Sequence, residues 1–388
     1  MTKKDSSNGT ALAGSAAKAF TRRSLLRGAT SLGLGAALAP LYVKRAFANS
    51  GELNILCWSA ELPEEVMTAF TEATGITVNK TPFSSNEEAI NKMQATFGEG
   101  FDLVMPSVNR ASEFQYIEVL QPFDEARVNL DAYQPGLLKA SSDSWSWDGL
   151  YHLPHMWGAE GLSWDNSVAD LSYADASYGL VWSDEYSGRA QVRPTSALLG
   201  LGLFLDASGQ LPSNRMMDAY KDPETMRKIY EEILAYAVAR KGNIKQFWDS
   251  TDTIRAGFSE NGCVIGQTWD GPVKQMAKQG QPMSFMAPQE GGLTWMDGFA
   301  MSAAARNVDE VYAFLGFTQN PEIAGRIAEL ASYNSPVKGA AEFTPEIDRE
   351  LFDKAYPEDA LDKLWWYPAS PEWFNPIRNE YAEKFRVA

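Results

Sequence analysis

Between Leu53 and Met105, strand-like apolar runs alternate with helix-like amphipathic runs, and this alternation restricts the chain to an α/β fold. Leu53–Trp58 predicts a short buried strand. Pro63 then opens a helix with Val66, Met67 and Phe70 on one face, and Gly75 stops it. Ile76–Phe83 predicts a second strand, Asn86–Phe97 a second helix, and Phe101–Met105 a third strand that ends at Pro106 and Ser107. Strands joined through helices pair in parallel with right-handed crossovers. Ligands of such sheets bind beyond the carboxyl ends of the strands. Trp58, Ser59, Ser107 and Asn109 occupy those ends and are the first candidate site residues, from position alone.

The first 48 residues stand apart from this pattern. Lys3, Lys4 and Lys18 lead to Thr21-Arg22-Arg23-Ser24-Leu25-Leu26-Arg27, which resembles a twin-arginine export signal. The apolar run from Gly28 to Leu41 is too short to span a bilayer. Ala46-Phe47-Ala48 then forms a small-x-small cleavage site. No cysteine follows it to take a lipid, so a soluble periplasmic protein, cleaved after Ala48, is expected. The segment holds eight Lys or Arg and one Asp out of 34 basic and 50 acidic residues, which leaves the remainder with a net charge of −23. Such a surface argues against nucleic acid and anionic lipid as partners, because phosphate binding rests on basic groups. It suits cationic solutes, and solubility in a salty medium accounts for it equally well.

The length that remains suggests two domains. Cys57 and Cys263 lie far apart in apolar runs and are expected to be buried free thiols rather than a disulfide. From Gly161 to about Gly271 the chain predicts a separate α/β unit. A strand falls at Tyr186–Val192, an apolar helix at Ser196–Leu205, and a capped helix runs from Asp222 to Val238. A buried strand, Cys263–Trp269, ends at Trp269-Asp270. From Met283 the chain returns to the first unit, with covering helices at Val311–Phe317 and Glu322–Leu330. The expected division is lobe 1 at 49–157 and 283–345, lobe 2 at 158–282, and a helical segment at 346–388 packed across both. In that last segment Trp365, Trp366 and Trp373 interleave with Pro368, Pro371 and Pro376.

Within the return, Glu290 to Gly298 carries two glycines and then Trp295 and Asp297, two residues apart and so on one side of an extended segment. A ring face attracts an ammonium by roughly 0.5 to 2 kcal/mol. A carboxylate beside it adds a charge-assisted hydrogen bond. The alternative is a core tryptophan beside a surface aspartate.

Several stretches resemble the periplasmic spermidine/putrescine-binding proteins of ABC importers. They are Leu53-Asn54-Ile55-Leu56-Cys57-Trp58, Phe70 to Val78, Ser85-Asn86-Glu87, Phe101 to Ser107, Leu120 to Asp124, Leu153 to Gly158, Gly266 to Trp269, Glu290 to Asp297, and Pro321 to Glu329. They follow the family's order over most of the chain after the signal. The resemblance implies a type II periplasmic-binding fold, two α/β lobes with a ligand cleft between them, which closes on a solute and presents it to a membrane permease. It further implies that Trp58, Ser107, Trp269, Trp295 and Asp297 line the site, aromatic rings on a methylene chain and a carboxylate on an amine.

The chain also departs from that family. Glu61 and Asn109 stand where the spermidine binders place tyrosines. No acid occurs around Arg193 to Leu198, where the family supplies further acids, and Arg326 falls at a family glutamine. Glu160 and Asp270 add acids at neutral positions. Two readings follow. In one, Glu61, Glu160 and Asp270 replace the missing acids and the ligand is a putrescine- or spermidine-type cation. In the other, Arg326 or Arg193 holds a carboxylate bidentately and the ligand is zwitterionic, betaine-like or a modified amino acid. Tyr333 is placed to face the cleft or to pack.

No catalytic or cofactor motif emerges. No G-x-G-x-x-G follows a strand, and C-x-x-C, H-E-x-x-H and G-x-S-x-G are absent. His152 and His155 share one loop and suit a structural role better than a metal site. An exported carbohydrate-active enzyme using Glu160 and Asp297 is a remote alternative. The chain is expected to be no enzyme, to carry neither cofactor nor metal, and to work as a monomer.

Overall fold

The computed structural model describes residues 51–145 and 147–388; the expected export signal and cleavage site lie outside the described residues. Its strands are β1 (Glu52–Trp58), β2 (Thr77–Phe83), β3 (Leu103–Val104), β4 (Leu120–Gln121), β5 (Leu153–Asp165), β6 (Ala190–Val192), β7 (Ile244–Phe247), β8 (Ile265–Trp269), β9 (Met283–Met286), β10 (Leu293–Ser302) and β11 (Trp365–Trp366). They join in the order β2-β1-β3-β10-β5-β8-β6-β7, with β4 and β11 on β10 and β9 on β5. β1 pairs in parallel with β2 and β3, and β6 in parallel with β7 and β8. These are two parallel halves. β5 and β10 link them as an antiparallel pair, because β10 meets β5 through Leu293–Phe299 and then β3 and β4 through Ala300–Ser302.

The local sequence accounts for most of the boundaries. Helix Glu64–Thr74 follows Pro63, buries Val66, Met67 and Phe70, and stops at Gly75, whose φ of 81° a side chain would strain. Helix Asn86–Thr96 starts where the Ser85 side chain accepts from Glu88 N. β3 is shorter than the expected 101–105, although Asp102 N still donates to Asn54 O at 2.8 Å and Met105 N to Leu56 O at 2.9 Å; the Asp102 carboxylate meanwhile gathers the loops around it. Its partners are Asn54 N and Nδ2, Arg306 N, and Asn307 N and Nδ2. β5 was not expected as a strand. Twelve of its thirteen residues are buried, and a strand covered on both faces has no polar–apolar alternation to read.

One core gathers helices Pro194–Ala207, Pro223–Ala239 and Phe374–Val387 on β6 and β8. The middle helix is capped by the Asp222 side chain, as expected. The first is apolar almost all round because sheet and helices enclose it. A second core runs from Leu56, Met93 and Val104 through Trp145 and Trp157 to Val273, Phe285 and Met296. The C-terminal segment touches the first half as well, Ser370 N donating to Asn109 O at 3.0 Å. Cys57 and Cys263 are both buried and free.

Candidate functional site

The first half of the sheet delivers three strand ends to one place. Trp58 closes β1, its ring edge-on to Phe83 at 4.6 Å. Beyond it the chain bends around Lys80, whose ammonium holds Ser59 O at 2.5 Å and Leu62 O at 2.9 Å. That bend turns Glu61 inward to 5% exposure, and His155 Nε2 donates to its carbonyl at 3.0 Å. After β3, Ser107 N donates to Asn86 Oδ1 and Ser107 Oγ accepts from Asn86 Nδ2. His152 Nε2 donates to Pro106 O, and its Nδ1 accepts from Ser141 Oγ. Each histidine thus fixes one of the two loops. Burial pulls both imidazoles down to about 4, so neither is charged near neutrality.

Asp297 arrives from β10. The register against β5 shifts between Asp297 and Gly298, and a bulge there re-aims the side chain toward Ser107, which bridges Asp297 through the backbone. Asp297 is 4% exposed and its carboxyl meets that of Glu61. Burial raises the Glu61 carboxyl well above its usual range, and the Asp297 charge raises it further. Burial also lifts Asp297, to about 6, against the contacts of Glu61, Ser107 and Trp58. Glu61 is therefore the protonated partner and Asp297 the acceptor, since two like charges in contact do not both ionise cheaply. Among the described residues no lysine or arginine forms an ion pair with either. Glu61 Oε2, Asp297 Oδ1, Trp58 Nε1 and Trp295 Nε1 are buried with no protein partner in hydrogen-bonding geometry. Interiors satisfy about nine in ten such groups, and these four orphans make the cluster the candidate binding site.

The second half presents Arg193, Trp248 and Trp269 at the ends of β6, β7 and β8. The Arg193 guanidinium lies 5.2 Å from the Trp248 ring and 5.1 Å from the Trp269 ring, and 3.5 Å from Glu160 Oε2. Glu160 Oε1 accepts from Gln267 Nε2 at 2.7 Å. Burial raises the Glu160 carboxyl and Arg193 opposes the rise. Asp270 begins helix Asp270–Lys278 directly after β8. Its Oδ2 takes Lys274 Nζ at 2.9 Å, the Tyr356 hydroxyl at 3.1 Å and Asn334 Nδ2 at 3.4 Å. Its Oδ1 is buried without a partner.

Gly158, opposite Trp295 on β5, makes room between the halves. A Cβ there would lie 2.5 Å from Trp295 Cζ2 and 2.7 Å from Asp270 Oδ1. Tyr333 stands edge-on to Trp295 at 4.8 Å. Burial and the charges of Asp270, Glu61 and Asp297 all raise its hydroxyl, which places that ring among the three acids, and Thr251 reaches it from the second half.

Of the residues expected in the site, Trp58, Glu61, Ser107, Trp295 and Asp297 converge, and Glu160, Trp269 and Asp270 form the facing group. Three are not brought in. Ser59 is exposed, with its carbonyl on Lys80. Asn109 sits in the turn Val108–Arg110 and its carbonyl serves Ser370. Arg326 forks onto Glu65 of helix Glu64–Thr74 at 2.9 and 2.8 Å and onto Glu329 of its own helix, so its donors are already committed. Sequence reasoning missed Trp248, Asn86 and Lys274. The last had a signal, an acid and a lysine four residues apart at a helix start.

The model of a family described as bacterial extracellular solute-binding proteins matches residues 65–354. The putrescine-binding periplasmic protein PotF of Escherichia coli (strain K12) is 30% identical over 336 residues, covering 81% of this chain and 85% of that protein. The spermidine/putrescine-binding periplasmic protein of the same organism is 25% identical over 348 residues, covering 87% and 91%. Among solved structures, the spermidine/putrescine ABC transporter substrate-binding protein PotD from Streptococcus pneumoniae superposes with a TM-score of 0.71 at 25% identity, covering 87% of this chain and 98% of that one. The two-lobe α/β fold expected from the sequence is the fold these structures share with it.

Proposed function

We propose that this chain, which belongs to the bacterial extracellular solute-binding proteins, captures a small organic cation of the putrescine–spermidine type. The lobes close on the solute and present it to the membrane permease of an ABC importer, with no chemistry on the ligand. The observation that carries this reading is the buried Glu61–Asp297 pair, which has two free oxygens and no basic partner among the described residues. An ammonium there replaces a shared proton and gains two charge-assisted hydrogen bonds out of water. Across the cluster, the carboxyls of Glu61, Asp297, Glu160 and Asp270 face two cations, Arg193 and Lys274, so two negative charges are left for a ligand. Trp58, Trp295 and Trp269 supply apolar faces for methylene groups.

In this reading the lobes are 49–157 with 283–345, and 158–282, and the twin-arginine signal delivers a monomer to the periplasm. The strongly acidic surface is no footing for nucleic acid. A zwitterionic ligand retains one observation in its favour, the half-buried Arg193 at the end of β6. Arg326 offers it nothing, being bound to Glu65.

Thermal unfolding against a ligand panel tests the reading, because a ligand that binds only the folded state raises the midpoint. Putrescine or spermidine at about 100 times its dissociation constant is expected to add about 2.7 kcal/mol, a shift of several degrees, while glycine betaine, choline, amino acids and simple sugars add none. A shift with betaine or amino acids alone moves the assignment to the zwitterionic class.

A further inference from the structure

The crossover strands carry a ruler for the ligand. Asp297, Trp295 and Leu293 on β10 lie opposite Met156, Gly158 and Glu160 on β5, and Trp269 on β8 lies opposite Glu160. These positions share one face, with successive stations about 7 Å apart along the strand. Each station has an acid. Asp297 with Glu61 marks the first. Asp270 Oδ1, close against the Cα of Gly158 and unpartnered, marks the second. Glu160 marks the third, and there the two carboxyl oxygens are already occupied by Gln267 and by the Arg193 guanidinium. Arg193 is held in place by Ser196 Oγ at 3.2 Å and by the rings of Trp248 and Trp269.

We propose that Arg193 sets the length of the ligand, so that the cleft takes a diamine with a spacer of four or five carbons and rejects a triamine. The inference rests on the amine reading above and narrows it. From ordinary bond lengths a four-carbon diamine spans about 6 Å between nitrogens. That span carries one ammonium from the Glu61–Asp297 pair to Asp270 Oδ1, past the Trp295 ring and Tyr333. In a triamine such as spermidine the third nitrogen falls a further 5 Å or so along. It would meet a fixed guanidinium instead of a free carboxylate, and like charges in a desolvated cleft repel strongly. An ω-amino acid of the same length is also disfavoured, because its carboxylate would face Asp270.

Calorimetric titration of the purified protein with 1,4-diaminobutane, 1,5-diaminopentane, spermidine and 4-aminobutyrate tests this, in the natural chain and in Arg193→Gln. The natural chain is expected to bind the better diamine at least about tenfold more tightly than spermidine, a difference of about 1.4 kcal/mol. Arg193→Gln is expected to shrink that ratio about fivefold or more, and Arg193→Lys to keep it. Spermidine binding within about threefold of the diamines, tighter binding of 4-aminobutyrate, or a folded Arg193→Gln with an unchanged ratio overturns the proposal while leaving capture of an organic solute intact. Absence of binding by every amine overturns both. The ladder of ligands on the natural chain decides the matter even where a variant does not fold.

Discussion

Replacing Asp297 by asparagine is expected to weaken binding of 1,4-diaminobutane at least about a hundredfold, or about 3 kcal/mol, within the 2 to 5 kcal/mol typical of truncating one partner of a buried charge pair. The substitution keeps the shape of the side chain and its place at the bulge beside Ser107. What it removes is one of the two counter-charges of a desolvated ammonium, and Glu61 does not fully replace it, because burial, the largest cause of its raised pKa, still favours its neutral form. Fluorescence or calorimetric titration reads the loss. A variant that is folded and binds within about threefold of the natural protein removes Asp297 from the site. The effect should be confined to binding, since the carboxyl pair is itself a burden on the ligand-free fold. Both pKa values are raised, so the contribution of the pair to stability is fully present below the unfolded values near 4 and is lost as pH rises through about 6.

Asp102→Ala is expected to have the largest effect on the fold, lowering stability by about 3 to 5 kcal/mol in urea unfolding. Its carboxylate is 2% exposed and accepts from three backbone N–H groups, of Asn54, Arg306 and Asn307, as well as from two side-chain amides. Alanine leaves those donors buried without partners, at about 1 to 3 kcal/mol each before the structure relaxes. Burial alone would raise this carboxyl, but the donors of Asn307 and Asn54 hold it below its usual range. Its stabilisation is thus present above the unfolded value near 4 and is lost as pH falls through the folded one. Ligand affinity should change far less than stability, because Asp102 ties β1 to the loop before helix Val308–Thr318 on the side away from the carboxyl pair. A loss under about 1 kcal/mol would mean that the loop finds other partners.

The sequence was most legible where one element dictates its own shape. Pro63 and Gly75 bound a helix, Asp222 caps another, and Trp58 and Trp269 do end strands, with Ser107 just beyond a third. What it could not show was the direction of a long polar side chain. Arg326 was offered as a carboxylate holder, yet Glu65 on a helix 261 residues earlier in the chain claims its fork. Asp270 was read as a free acid, yet Lys274 neutralises one oxygen and only the other is left. Arg193 acquired its meaning from Trp248, whose ring the sequence did not connect to it. Glu61 was the informative departure. In the sequence it was one of three acids offered in place of those the family supplies elsewhere, and the bend around Lys80 and the bond from His155 show how it comes to point at Asp297.

In the proposed binding reaction an ammonium takes the place of a proton between Glu61 and Asp297. The most direct test is calorimetric titration with 1,4-diaminobutane near pH 6 in two buffers of different ionisation enthalpy. With Glu61 raised well above its usual range and Asp297 near 6, the ligand-free pair holds proton that a bound ammonium must expel. The observed heat is therefore expected to depend on the buffer with the sign of proton release, and affinity is expected to weaken as pH falls below 6. Binding whose heat is the same in both buffers, or no binding at all, would mean that no proton is exchanged for an ammonium at this pair.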